Sequence, residues 1–247
     1  FVLTRLAELP QQKGSAEQVS VAYYQTWRRH LRKRNEHDGV RVLTVFTQST
    51  GDLFTAMEPV GRLSHVKGLH LSAGGGTAGQ VLKQMGSLGA EPVDVPLPAA
   101  VHAIADHALD GLLSTTGNIL RYGLTNAIGH RWQVPGGLYR HSYALLMNTA
   151  AWAKLTPAAK RALGEMSGET AARIFGRAAD RLELSQQQTL IDAGLTVSRA
   201  APAEIEHLHE RLKVISDAWL TQARDRGLAN AAEVLRDFRK ALREQMR

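Results

Sequence analysis

The chain has 247 residues, with 30 Lys and Arg against 23 Asp and Glu for a formal net charge of +7. That length can bury a sizeable core in one large or two small units. The absence of cysteine excludes disulfides and thiolate-ligated metal. No apolar run reaches membrane-spanning length and Phe1 is not followed by the charged-then-apolar pattern of a signal peptide, so the chain reads as a soluble polypeptide, open to having been processed, without stable membrane insertion.

Phe1 to Pro10 is an apolar-polar segment, and Ser15 to Arg34 reads as one helix whose end is marked by Asn35 to Gly39. Val19, Ala22, Tyr23 and Trp27 line its apolar face, and Arg28, Arg29, Arg32, Lys33 and Arg34 sit at the dipole-favoured C-terminal end. The basic excess is therefore read as a solvated surface rather than a nucleic-acid site. Val40 to Thr47 alternates as a strand, followed by a polar turn at Gln48 to Asp52.

From Val66 to Leu113 the chain alternates strand, turn and helix. A strand at Gly68 to Ala73 leads into Gly74, Gly75 and Gly76, where the backbone has room to approach a bound molecule before a helix opens near Thr77. Its free amides would face a ligand. A second strand at Pro92 to Val95, a helix opened by Pro98 and a third strand at Leu109 to Leu113 imply a parallel sheet.

Ile119 to His130 reads as partly helical, Pro135-Gly136-Gly137 as a breaker, and His141 to Met147 as a strand closed by Asn148. Thr156 followed by Pro157 starts a long helix towards Ala193, with Gly164, Gly168 and Gly176 marking bends or close packing. A short strand at Leu195 to Ser198 and two amphipathic helices over Pro202 to Met246, broken near Gly227, complete the chain.

Val66-Lys67-Gly68-Leu69-His70-Leu71-Ser72-Ala73, Gly89-Ala90-Glu91-Pro92-Val93 and Leu109-Asp110-Gly111 resemble, in order and spacing, the substrate-binding proteins of tripartite ATP-independent periplasmic (TRAP) transporters, the DctP-type family. The likeness continues in Tyr143 to Asn148, Trp152, Leu155, Asp217-Ala218-Trp219 and Arg226-Gly227 and covers essentially the whole chain. It implies an α/β, periplasmic binding protein type II-like fold, with two α/β lobes, crossing strands and a long helix spanning both. Residues 1–47 and 141–200 would form lobe I, 48–140 lobe II, and 201–247 C-terminal helices packing on the lobes. The family's opening strand, first helix and second strand would precede Phe1, leaving lobe I incomplete at its N-terminus. The resemblance also implies a periplasmic, non-enzymatic, monomeric protein that captures a small polar solute, an organic acid by preference, for a membrane permease.

In relatives an arginine of the motif matching Gly68 to Ala73 grips a carboxylate; the matching position here is Ser72, which offers a hydroxyl and no charge. The stretch after the third strand is likewise changed, to Ser114 and Thr115. Backbone amides of Gly74, Gly75, Gly76 and Thr77 are one alternative anchor, and Arg140 is the best replacement cation, since it precedes a crossing strand. Thr47, Gln48 and Phe54 surround the other crossing strand, and Asn148 ends the later one, either contacting ligand or capping a turn.

Competing chemistries are weaker. His102, Asp106 and His107 share a helix pattern but show no third ligand at matching geometry, so no metal is expected. Gly74 to Gly79 lacks the Lys-Ser or Lys-Thr of a phosphate-cradling loop, and no nucleophile elbow exists, so no cofactor is expected. The enzyme alternative would use that loop for a phosphometabolite, with His70, His102 or Asp110 as acid or base.

Overall fold

Ser15 caps the first helix reciprocally: its Oγ accepts from the Gln18 amide at 3.2 Å, and Gln18 Oε1 accepts from the Ser15 amide at 2.9 Å. In the computed structural model, which describes residues 1–34 and 36–247, this helix is α1 (Ala16–Thr26). The longer helix expected to Arg34 changes at Trp27 into a π-helical turn, Trp27–Leu31, where the Arg32 amide reaches the Trp27 carbonyl at 2.9 Å. Asn35, expected at the helix end, lies outside the described residues.

The strand expected over Val40 to Thr47 continues to Thr55 as β1 (Val40–Thr55). The run Gln48 to Asp52, expected as a turn, lies inside it. Gln48 and Ser49 fall in a register shift between the pairs Thr47↔Ser142 and Thr50↔Arg140. Asp52 is tolerated at full burial because a buried arginine meets it.

The repeating unit is present but shorter: β2 (His70–Ala73), α2 (Gly76–Gly86), β3 (Glu91–Pro92), α3 (Ala100–Ala105) and β4 (Gly111–Ser114). β2 pairs in parallel with β3 and β4, as Leu71↔Pro92 and Ser72↔Leu112 show. Pro98 stands in a short 3-10 turn, Leu97–Ala99, ahead of α3 rather than opening it. α4 (Thr116–Arg121) follows, capped by Thr115 Oγ1 accepting from the Asn118 amide at 3.3 Å.

The strand β5 (His130–Gln133) occupies a segment the sequence reading left between helix and breaker. β6 (Tyr139–Asn148) then pairs antiparallel with the first part of β1, from Val40↔Asn148 to Gly51↔Tyr139. From Asp52 onward β1 changes partners, running antiparallel to β4 and β5. The strand order is β3-β2-β4-β1-β5-β7, with β6 branching from β1 and β7 (Thr196–Arg199) parallel to β5. β7 thus joins the larger group of strands, not the β1–β6 pair.

After α5 (Thr149–Ala153), the helix expected from Thr156 to Ala193 is two helices, α6 (Pro157–Met166) and α7 (Glu169–Asp192). Gly168 separates them at φ +68, and β1 holds the break: the Gly168 amide donates to Leu43 O at 2.7 Å and Thr44 Oγ1 donates to Gly168 O at 2.8 Å. α7, about 36 Å long, packs on α1, β1 and α4. Gly176 lets α1 pass close by, since a Cβ there would lie 2.5 Å from Glu17 Cα. α8 (Pro202–Asp225) and α9 (Ala231–Gln245) break around Gly227, at φ +83.

Two apolar clusters result. The larger joins α1, α2, α8 and α9 across Leu71, Val45 and Trp219; the smaller gathers Phe54, Ile104, Leu112, Ile119 and Leu190 on the opposite side of the strands. Among the described residues no helix is long and apolar enough to cross a membrane.

Candidate ligand-binding site

The change of partners along β1 concentrates polar chemistry around its middle. Arg140, near the start of β6, is almost wholly buried and bonds only carbonyls: Nη1 donates to Gln48 O at 3.1 Å, and Nη2 to Gly14 O at 2.5 Å and Gln12 O at 3.5 Å. Its Nε is buried with no partner among the described residues. Burial lowers its pKa to about 10, against the opposing fields of Asp180, Asp52 and Glu183. It borders a cavity of about 530 Å³ between the start of α1 (Gly14, Ser15), β1 (Ser49, Thr50), the β5–β6 connection (Val134 to Gly136) and α7 (Asp180, Glu183). Asp180 is already engaged, accepting from the Ala16 amide at 2.6 Å and the Glu17 amide at 2.9 Å.

On the other side of Ser49 lies a smaller cavity of about 210 Å³, lined by Gln48, Thr115, Asn118, Arg121 and Gln186. Ser49 and Glu183 line both cavities. The structure therefore brings Gln48, Thr115 and Arg140 together around one strand segment, although Thr115 also serves as the α4 cap.

The other expected residues are placed differently. Thr47 is buried against α1, its amide bonded to Ser20 Oγ at 2.9 Å. Phe54 is fully buried in the smaller apolar cluster, with the Arg131 guanidinium 5.5 Å over its ring. Ser72 and Ser114 are buried at neighbouring strand positions, and the Ser114 hydroxyl has no partner among the described residues. Gly74, Gly75 and Gly76 are exposed with open space where a Cβ would stand. Thr77 Oγ1 donates to Glu8 Oε2 at 3.2 Å, and Glu8 Oε1 accepts from the Ser142 amide and hydroxyl at 3.2 and 2.8 Å. Glu8 thus ties the start of α2 to β6. Asn148 Oδ1 caps α5 through the Ala150 and Ala151 amides at 2.8 and 3.1 Å. It stands eight positions from Arg140 along β6, roughly 27 Å, which takes it out of the cluster and leaves it the capping role.

The sequence reading missed a buried network beside these cavities. Arg131 on β5 donates through Nε and Nη2 to Asp52 Oδ2 at 3.0 and 2.7 Å, and through Nη1 to Thr116 Oγ1, Glu183 Oε1 and Gln187 Oε1 at 2.9, 2.8 and 2.9 Å. Asp52 also accepts from the Val134 amide at 3.1 Å. Burial pushes the Asp52 carboxyl up against the pull of Arg131. The arginine beside Trp132 in the short β5 was the one available signal, and it names no partner.

The acid–base candidates of the enzyme alternative are placed as follows along the strands and α3. His70 is held at the N-terminal end of β2, with Nδ1 3.2 Å from Asp110 and Nε2 3.2 Å from Glu91, while the glycine turn lies at the C-terminal end. His102 lies on α3, whereas Asp106 is its C-cap and His107 follows at φ 55, so the expected trio does not share one helix. Among the described residues no three His, Asp or Glu side chains converge as a metal site.

Comparison with known proteins agrees with this architecture. A TRAP periplasmic solute-binding protein from Bordetella bronchiseptica, solved with bound (R)- and (S)-mandelate, superposes with a TM-score of 0.85 at 31% identity, covering 99% of this chain and 76% of that one. A TRAP solute-binding protein from Rhodoferax ferrireducens with copurified benzoate superposes with a TM-score of 0.85 at 22% identity, covering 100% of this chain and 76% of that one, a likeness of fold. The outer membrane transporter protein TsaT of Comamonas testosteroni is 28% identical over 247 residues, 97% of this chain and 69% of that protein. The family model of bacterial extracellular solute-binding protein, family 7 (DctP), matches residues 8–222, and the chain belongs to this family.

Proposed function

We propose that the chain captures an aromatic or hydroxylated carboxylic acid in the periplasm and delivers it to a TRAP permease, acting by binding rather than by catalysis. The buried Arg140 supports this most directly. A buried guanidinium surrounded by carbonyls and bordering a cavity, with Nε unpaired among the described residues, is a ready counter-ion for a carboxylate. It takes the role that Ser72 lacks the charge to fill. Gln48 and Thr115 add hydrogen-bonding groups in the adjoining smaller cavity, and the mandelate-bound relative points to an aryl acid as the first class to test.

The lobe division expected over 1–47 with 141–200 and over 48–140 belongs to the same proposal, with two adjustments. The change of partners on β1 favours a crossing at Gly51 and Asp52, and β7 sides with the second lobe. The Glu8 bond to Thr77 would then link the two lobes. Gly74 to Gly76, Ser72, Ser114, Thr47 and Phe54 belong to the same proposal as supporting positions.

Isothermal titration with mandelate and benzoate tests this proposal. Arg140→Met, folded as judged by circular dichroism, should bind roughly 10- to 100-fold more weakly, the worth of a hydrogen bond to a charged group. Unchanged affinity in the folded variant would remove Arg140 from the site. No heat with any carboxylate would remove the ligand class.

A further inference from the structure

The net charge of this protein is not spread over its surface. Residues 28–34 and 224–247 together hold twelve basic side chains (Arg28, Arg29, Arg32, Lys33, Arg34, Arg224, Arg226, Arg236, Arg239, Lys240, Arg243 and Arg247) and only four acidic ones, an excess of eight against +7 for the whole chain. The remainder is therefore close to neutral. All twelve basic residues are exposed.

The fold brings these distant segments together. α9 packs along α1, His30 Nε2 and Arg29 Nη1 lie 2.9 and 3.7 Å from Asp237 Oδ2, and Arg34 Nη1 donates to Gly227 O at 2.9 Å. On α9, Val234, Leu235, Phe238 and Leu242 face the core. Arg236, Lys240 and Arg243, at spacings of four and three, consequently form one solvent-facing stripe, with Arg247 just beyond the end of the helix.

We propose that this face docks the protein onto an anionic phospholipid surface. The helical part of the stripe extends over about 10 Å and continues onto the α1 end, a broad, predominantly basic face rather than a pocket for a single acid. Ten of the twelve residues are arginine, whose planar fork matches phosphate oxygens in pairs. With the rest of the molecule near neutral, the asymmetry orients it towards a negative plane. Met246, 47% exposed at the end of α9, adds an apolar side chain at the headgroup level. This docking is independent of the ligand assigned to the Arg140 cavity.

Co-sedimentation of the full chain with vesicles of equal parts phosphatidylglycerol and phosphatidylcholine, against phosphatidylcholine alone, tests it. Binding should appear only with phosphatidylglycerol. It should disappear between about 0.1 M and about 1 M salt, as the screening length falls from about 10 to about 3 Å. The variant Arg236→Gln/Lys240→Gln/Arg243→Gln changes no ion pair and no cavity residue, so its circular dichroism should match the parent. It should lose on the order of 100-fold in partitioning, about five-fold for each charge removed. Equal sedimentation with both vesicles, no sedimentation at low salt, or a variant that binds like the parent overturns the proposal. Salt-sensitive binding to a DNA duplex without binding to vesicles would overturn it as well.

Discussion

Replacing Arg131 by Met should cost about 3–5 kcal/mol of stability, because it strands a carboxylate in a dry interior. Arg131 is 1% exposed and Asp52 0%, so solvent cannot take over the lost interaction at Asp52. The guanidinium makes five hydrogen bonds to four side chains, and after its removal Asp52 keeps, among the described residues, only the Val134 amide. Glu183, 18% exposed, can recover water and contributes less to the loss. For a domain of this size the deficit corresponds to roughly 10 °C in Tm, measurable by thermal melting and by urea titration read through circular dichroism. Adding Asp52→Asn to Arg131→Met removes the stranded charge and should restore part of the loss, giving a coupling energy above about 2 kcal/mol in the double-mutant cycle. A single-variant loss below about 1 kcal/mol, or simple additivity of the two substitutions, would show that the pair is not the buried, mutually dependent unit its geometry describes.

Gly176→Ala should destabilise by about 1–3 kcal/mol, since its Cβ would press on the α1 backbone. Gly164→Ala, on exposed α6 with open space around it, should stabilise by about 0.5–1 kcal/mol, and urea titration distinguishes the two signs. Burial lowers the pKa of both His37 and His141, with Glu36 and Glu8 opposing, so below their ordinary value of 6.5 the unfolded chain binds more protons than the folded one. Stability should then fall as pH drops through 6.5, and His37→Gln/His141→Gln should flatten that slope. The Arg177 hydrogen bond, followed in part by that of Arg173, holds the Glu17 carboxyl below its ordinary 4.5. Its contribution is present above pH 4.5 and lost as pH falls through the folded value; Glu17→Gln should remove about 0.5 kcal/mol at neutral pH, seen as a shallower acid limb.

What was legible in the sequence was local. The helix starts at Ser15 and Thr156, the glycine turn before α2, the break near Gly227 and the parallel β2–β3–β4 unit each arise within a few residues of one another, so spacing and residue type report them directly. Gly168 and Gly176 were visible as exceptions in a helical pattern, but only the fold separates the bend from the close crossing. What was not legible depends on partners far along the chain. Asp52 looks like a turn residue until Arg131, 79 positions away, turns a polar run into the buried middle of a strand. Arg140 could be singled out as a replacement cation, but the carbonyls 92 and 126 positions away that enclose it could not. The same limit applies to charge. Residues 28–34 looked like the solvated end of one helix, and 224–247 like another. Their meaning changes only when α9 lies against α1 and the two sum to a single basic face. Buried charge and concentrated surface charge both cost free energy unless something compensates them. At Asp52 the compensation is Arg131. At Arg140 the described residues place only carbonyls in contact with the guanidinium, and at the basic face Asp237 and three other acids leave most of twelve basic side chains unmatched, so both direct the search for function outward, to an acid at one and an anionic surface at the other.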